Sequence, residues 1–213
     1  MEDNLYMASP PFPGFAPEQW RLRPIELAAA AHDASHYLVT PRARLVARDV
    51  ADVRRAIVQS RRAGLPVTFR SGGTSLSGQA SGPGLLVDVR QAFQQVTTHD
   101  GGRRVTAQGG ATLRSVNARL ADFGHALGPD PASEVAATIG GVVANNSSGM
   151  ACGTEFNAYR TLASLKVVLA SGTVIDTGAP DADQRLLALE PALCAELARL
   201  RQEILASPAA LAT

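Results

Sequence analysis

Cysteine is nearly missing from this 213-residue sequence: Cys152 and Cys194 are the only two, and neither sits in a Cys-x-x-Cys pair. That excludes a disulfide framework and a zinc knuckle and points to a reducing compartment. Charge of one sign is missing too. The formal net charge is +1, which offers no field for gripping nucleic acid. The arginine pairs Arg54-Arg55, Arg61-Arg62 and Arg103-Arg104 are offset by acids and read as solvated faces. No apolar run is long enough to span a bilayer. The start, Met1-Glu2-Asp3-Asn4, carries acid where a signal peptide carries base. These absences predict a cytoplasmic chain, with peripheral attachment to a membrane left open.

What is present suits a folded domain: 46 % hydrophobic and 18 % charged residues. Pro10, Pro11, Pro13 and Pro17 mark an extended lead-in outside the core. Ile25 and the alanines after it predict a helix over 24–37, closed by Pro41. Asp49 caps a predicted helix over 50–63 with the stripe Val50, Val53, Ile57 and Val58, and Gly64 stops it. Strands are expected at 66–69 and 84–89. Asp100-Gly101-Gly102 turns a hairpin between 95–99 and 103–108. A helix follows at 111–122, then a glycine-rich crossing. A second hairpin pairs 165–169 with 173–176, and a single helix runs over 183–205. Strand and helix do not alternate regularly, so the expected class is α+β, in two lobes.

Arg70-Ser71-Gly72-Gly73-Thr74-Ser75-Leu76-Ser77-Gly78 has the chemistry of an anion cradle. Glycine lets successive N–H groups point into one concavity, and the hydroxyls of Thr74, Ser75 and Ser77 add donors. Gln79 and Ala80 stand where a Walker loop needs Lys-Ser/Thr, so phosphoryl transfer is excluded. The spacing does not fit G-x-G-x-x-G either. A glycine-serine string alone is equally a flexible surface loop. A second stretch gives it a partner: Gly128-Pro129-Asp130-Pro131-Ala132-Ser133, then Thr138-Ile139-Gly140-Gly141-Val142-Val143-Ala144-Asn145-Asn146-Ser147-Ser148-Gly149. Its clustered amides and hydroxyls suit a large heteroaromatic ring, or cap turns of their own.

Together with Met150-Ala151-Cys152-Gly153-Thr154, these motifs resemble the FAD-binding domain of the vanillyl-alcohol oxidase and p-cresol methylhydroxylase superfamily. The likeness is nearest to its D-lactate, glycolate and D-2-hydroxyglutarate dehydrogenase branch. It implies a two-lobed α+β FAD domain over 41–178, preceded by an extension and helix over 1–40. A helix over 179–213 would lead to a substrate domain absent from a chain that stops at Thr213, as in a fragment or separate subunit.

By the same resemblance, Arg70 to Gly78 is the FAD pyrophosphate loop. Pro129, Asp130, Ser133, Thr138, Gly140, Gly141, Ala144, Asn145 and Asn146 line the flavin and ribityl side. Gly149 and Gly153 let the backbone pass, and Ile175 lies against the adenine. Some members attach flavin through a histidine in the first loop; Thr74 stands at that place here, which implies non-covalent FAD. Cys152 does not match the covalent cysteine of another branch and reads as a small packed residue. The implied chemistry is hydride transfer from a small 2-hydroxy acid, with the catalytic groups and electron acceptor outside the chain. An iron–sulfur cluster is conceivable only in a missing C-terminal region. A MurB-like reductase, a molybdenum-hydroxylase flavin subunit and a non-catalytic nucleotide-binding module remain as alternatives. His32 and His36, at i and i+4, lack a third ligand for metal.

Overall fold

The computed structural model describes residues 9–207; the acidic start at 1–4 lies outside them. The chain divides into two compact units, Met1–Leu162 and Ala163–Thr213. Both mix helix and strand, in the expected α+β manner. In order, the first unit contains β1 (Trp20–Arg21), α1 (Pro24–Ala28), β2 (Ala43–Val46), α2 (Val50–Arg62), β3 (Val67–Arg70) and β4 (Leu85–Asp88). It continues with β5 (Val96–His99), β6 (Arg104–Ala107), α3 (Leu113–Ala121), α4 (Ile139–Ala144) and α5 (Ala158–Thr161).

β4 lies between β2 and β3 and runs parallel to both, with β1 antiparallel at the outer edge. All four β4 residues are buried, as an interior parallel strand covered on both faces requires. Parallel neighbours need a return connection. Between β3 and β4 that connection is the irregular segment 71–84, so the sheet holds both ends of the glycine loop.

Asp49 caps α2 as expected, its carboxylate accepting from the Asp52 N–H at 2.8 Å. The buried face, however, is Asp52, Val53, Ala56 and Ser60, while Val50 is exposed and Ile57 and Val58 are only half-buried. Small side chains face inward there, and Asp52 is tolerated because the Gln19 amide (2.6 Å) and the Arg48 N–H (3.0 Å) donate to it. The Ser60 hydroxyl is fully buried and has no partner among the described residues. Ser60→Ala is therefore expected to leave thermal stability unchanged or raise it by up to about 1 kcal/mol, read as the melting temperature.

Two expectations are corrected, and a third gains a detail. The helix over 24–37 ends at Ala28. Downstream, Asp33 turns its carboxylate onto the Ser35 N–H at 2.9 Å, and such a side-chain bond competes with the helical ladder. The glycine-rich crossing contains a helical turn, α4, with Gly140 and Gly141 inside it. The proline lead-in is docked: Arg55 donates to the Gly14 carbonyl at 2.7 Å, and its guanidinium lies 5.2 Å from the Phe15 ring centre. β2 was not anticipated, because it is only four residues long and includes the charged Arg44.

The second unit pairs β7 (Lys166–Val168) with β8 (Val174–Asp176), followed by α6 (Ala182–Leu189) and α7 (Pro191–Ala206). The single helix expected over 183–205 is thus two helices. Pro191 has no N–H to give, and it forces Glu190 off helical geometry, at φ −133° and ψ 52°.

Candidate functional site

Segment 71–84 leaves β3 at Arg70, which β4 holds in register opposite Asp88. Asp88 is buried, ion-paired with Arg44, and accepts from the Arg90 N–H at 2.9 Å. The base of the loop is therefore fixed. Beyond it, among the described residues, the main-chain N–H groups of Gly72, Gly73, Thr74, Ser75 and Leu76 donate to no protein acceptor. Five consecutive unspent donors are available to an anionic group, as in other backbone anion nests. The flanks of the loop are internally bonded: the Ser75 hydroxyl accepts from the Ser77 and Gln79 N–H groups at 3.2 and 3.3 Å.

The second sequence stretch meets this loop directly. The Ser71 and Thr138 hydroxyls bond to one another, with Thr138 fully buried just ahead of α4. Gly72 passes so close to residue 136 that a Cβ on it would lie 2.0 Å from the Ala136 carbonyl oxygen. Gly141 faces the Ser71 side chain, at 3.3 Å by the same measure. The segment is in turn tied to the start of α3, since Ile139 and Gly140 donate to the carbonyls of Ala111 and Gly109 at 2.9 Å. Leu113, Ala137, Val142 and Ala158 pack as one cluster beneath it.

The remaining expected residues are placed as follows. Pro129 is buried and Ser133 half-buried, while Ala144 and Asn145 are exposed on α4 and its C-terminal cap. Asp130 turns its carboxylate onto the N–H groups of Ala151 (3.0 Å) and Cys152 (3.2 Å), and Gly149 passes directly against it. Asn146, with φ +47°, accepts from the Tyr159 N–H at 2.9 Å. Gly153 stands in open space. Cys152 is buried, its thiol donating to the Gly153 carbonyl at 3.2 Å. Ile175 is buried in the second unit.

The Arg70 guanidinium lies beside Gly73, where a Cβ would come within 2.6 Å of it. It donates to the carbonyls of His32 (2.7 Å) and Ala80 (3.0 Å). Burial lowers its pKa and the nearby Asp33 charge opposes that, so it remains a cation. Burial pushes Asp33 up, but the bonds from Ser35 and Ala80 and the Arg70 charge outweigh it. The net pKa lies below the usual carboxylate value. Its stabilising contribution is present above that usual value and is lost as pH falls through the lowered one.

Asp33 is the site-shaping residue that the sequence reading missed. The signal available was Asp33-Ala34-Ser35, a spacing that favours a side-chain turn over a helix. His36 lies against the Tyr37 ring, with centroids 4.4 Å apart. Among the described residues, no helix is long and apolar enough to cross a membrane.

Known proteins match this arrangement. Residues 41–178 match the family model described as FAD binding domain. The chain is 30 % identical over 151 residues to D-2-hydroxyglutarate dehydrogenase of Escherichia coli K12, covering 68 % of this chain and 15 % of that protein. It is 26 % identical over 151 residues to glycolate oxidase subunit GlcD of the same strain, covering 70 % and 30 %. The chain thus spans less than a third of the length of either relative. Its fold resembles that of 6-hydroxy-D-nicotine oxidase from Arthrobacter nicotinovorans, with a TM-score of 0.62 and 22 % identity over 70 % of this chain and 33 % of that one. The loop of unspent donors and the hydroxyl-rich segment bonded to it therefore sit in a chain that belongs to the FAD binding domain family, with FAD as its cofactor.

Proposed function

We propose that this chain is the FAD-holding part of an oxidoreductase that oxidises a D-2-hydroxy acid of the D-lactate, glycolate or D-2-hydroxyglutarate class. The row of unspent N–H groups from Gly72 to Leu76 carries the cofactor half of this reading. In it, these donors hold the pyrophosphate, and Ser71 and Thr138 keep the loop against the segment that lines the flavin. Pro129, Ser133, Thr138, Gly140, Gly141, Ala144, Asn145 and Asn146 take the ribityl and ring side. Asp130 acts indirectly, since its carboxylate is spent shaping 149–152. FAD is held non-covalently, with Thr74 rather than histidine in the loop.

When bound, FAD supplies the hydride acceptor, and the protein supplies binding and orientation. Removal of the substrate hydroxyl proton is assigned to groups outside the chain, as is the electron acceptor. The D-2-hydroxyglutarate and glycolate members of this class rest on the likeness to the two sequence relatives, and D-lactate on the branch that the sequence motifs resemble.

The test uses the full-length natural polypeptide carrying this domain, loaded with FAD and mixed anaerobically with D-lactate, glycolate or D-2-hydroxyglutarate. At least one acid is expected to bleach the flavin's visible band. An FAD-loaded protein bleached by none of them would overturn the substrate assignment and leave the cofactor assignment standing.

A further inference from the structure

Residues 32–37 precede the family-matching span of 41–178, yet their contacts run to the far end of the glycine loop. Asp33, 7 % exposed, accepts from the Ala80 N–H at 3.2 Å. Arg70 donates to the Ala80 carbonyl at 3.0 Å and to the His32 carbonyl at 2.7 Å. Both polar groups of residue 80 are therefore gripped, the N–H by Asp33 and the carbonyl by Arg70. Beside them, the Tyr37 ring lies against Gly78, where a Cβ would come within 2.6 Å of it. Upstream, the Ser71–Thr138 bond fixes the other end of the loop. The five unspent donors lie between the two attachments.

We propose that Asp33 and Arg70 form a clasp, a pair of positioning residues that hold residues 78–80 so that the N–H groups of 72–76 converge on the pyrophosphate of FAD. This rests on the reading of 70–78 as the FAD pyrophosphate loop. Pre-organised donors bind an anion without first ordering the chain around it. A clasp residue therefore changes cofactor affinity without touching the cofactor.

The charge of Asp33 separates this from simple electrostatics. Asp33→Asn removes a negative charge near an anion site, so attraction alone predicts tighter binding of FAD. The clasp predicts the opposite sign, because an asparagine amide cannot replace both acceptor oxygens. Arg70→Lys keeps the positive charge but cannot bridge the two carbonyls with a planar fork.

Both variants are expected to bind FAD about tenfold more weakly than the wild-type chain, by flavin fluorescence titration of the apo-protein. The loss should carry over to ADP, which probes only the nucleotide end. At saturating FAD the visible spectrum should match that of wild type, because the ring side is undisturbed; general loosening would change it. Wild-type affinity or tighter binding in Asp33→Asn would overturn the clasp. If Asp33→Asn does not fold, Arg70→Lys decides, and unchanged affinity there overturns it. A folded wild-type chain that binds no FAD contradicts the cofactor reading itself.

Discussion

Gly72→Ala is expected to weaken FAD binding by about one to two orders of magnitude. The added methyl would sit 2.0 Å from the Ala136 carbonyl oxygen and 2.6 Å from its carbon. These are backbone atoms, so no side chain can swing aside to make room. The loop and residue 136 must part, and overpacking of this kind costs about 1–3 kcal/mol. Each 1.4 kcal/mol is about tenfold in affinity. Parting the two also pulls Ser71 from Thr138 and moves the N–H row that begins at residue 72. Gly109→Ala is the control. Its methyl would meet nothing nearer than 3.6 Å, an ordinary contact, and affinity should hold within about twofold. Titration of each apo-protein with FAD checks both. Equal affinity in Gly72→Ala and Gly109→Ala would show that the loop does not depend on its close approach to residue 136.

Asp88→Ala is expected to cost about 3–5 kcal/mol of folding stability, a large part of what a domain possesses. Asp88 sits on the interior strand β4 with its side chain 2 % exposed, and Arg44 on β2 is its ion-pair partner. Removing the carboxylate strands a guanidinium whose Nε is already buried without a partner among the described residues. It also frees the Arg90 N–H. A drop in melting temperature on the order of 10 °C follows from the usual entropy scale for a chain of this size. Replacing both partners, as Arg44→Met with Asp88→Leu, should recover most of the loss, because no unpaired charge remains buried. Urea denaturation midpoints give the comparison. A double variant no more stable than Asp88→Ala would contradict this account of the pair.

Much of this architecture was legible in the sequence wherever a local rule and the tertiary structure agreed. Asp49 marked the start of α2 and Gly64 its end. The apolar run at 84–89 marked a strand buried on both faces, and glycine turns marked the two hairpins. Reading failed where long-range contacts or an overlooked proline prevailed. The alanines after Ile25 favoured helix, but Ala30 and Ala31 are buried instead, and Asp33 bonds its own turn. Pro191 split a run of leucine and alanine whose composition suggested one helix. At the site, the glycine-hydroxyl string and its partner stretch were readable as chemistry. The division of labour among them was not. Arg70 and Asp130 are expected as ligand contacts by position, and the structure adds that both also bond the protein's own main chain. Asp33 could not be connected to Ala80 without knowing which segments the fold brings together.

The central claim is that unspent N–H groups at 72–76 make this chain a holder of FAD through its pyrophosphate. FMN carries one phosphate and no adenine, so it shares the ring with FAD but not the pyrophosphate that we propose the loop receives. Titrating the folded apo-protein with each in turn tests the claim most directly. Saturable binding of FAD, with FMN at least about tenfold weaker, is the result expected. Equal affinity for FMN, or no binding of FAD by the folded chain, would contradict it.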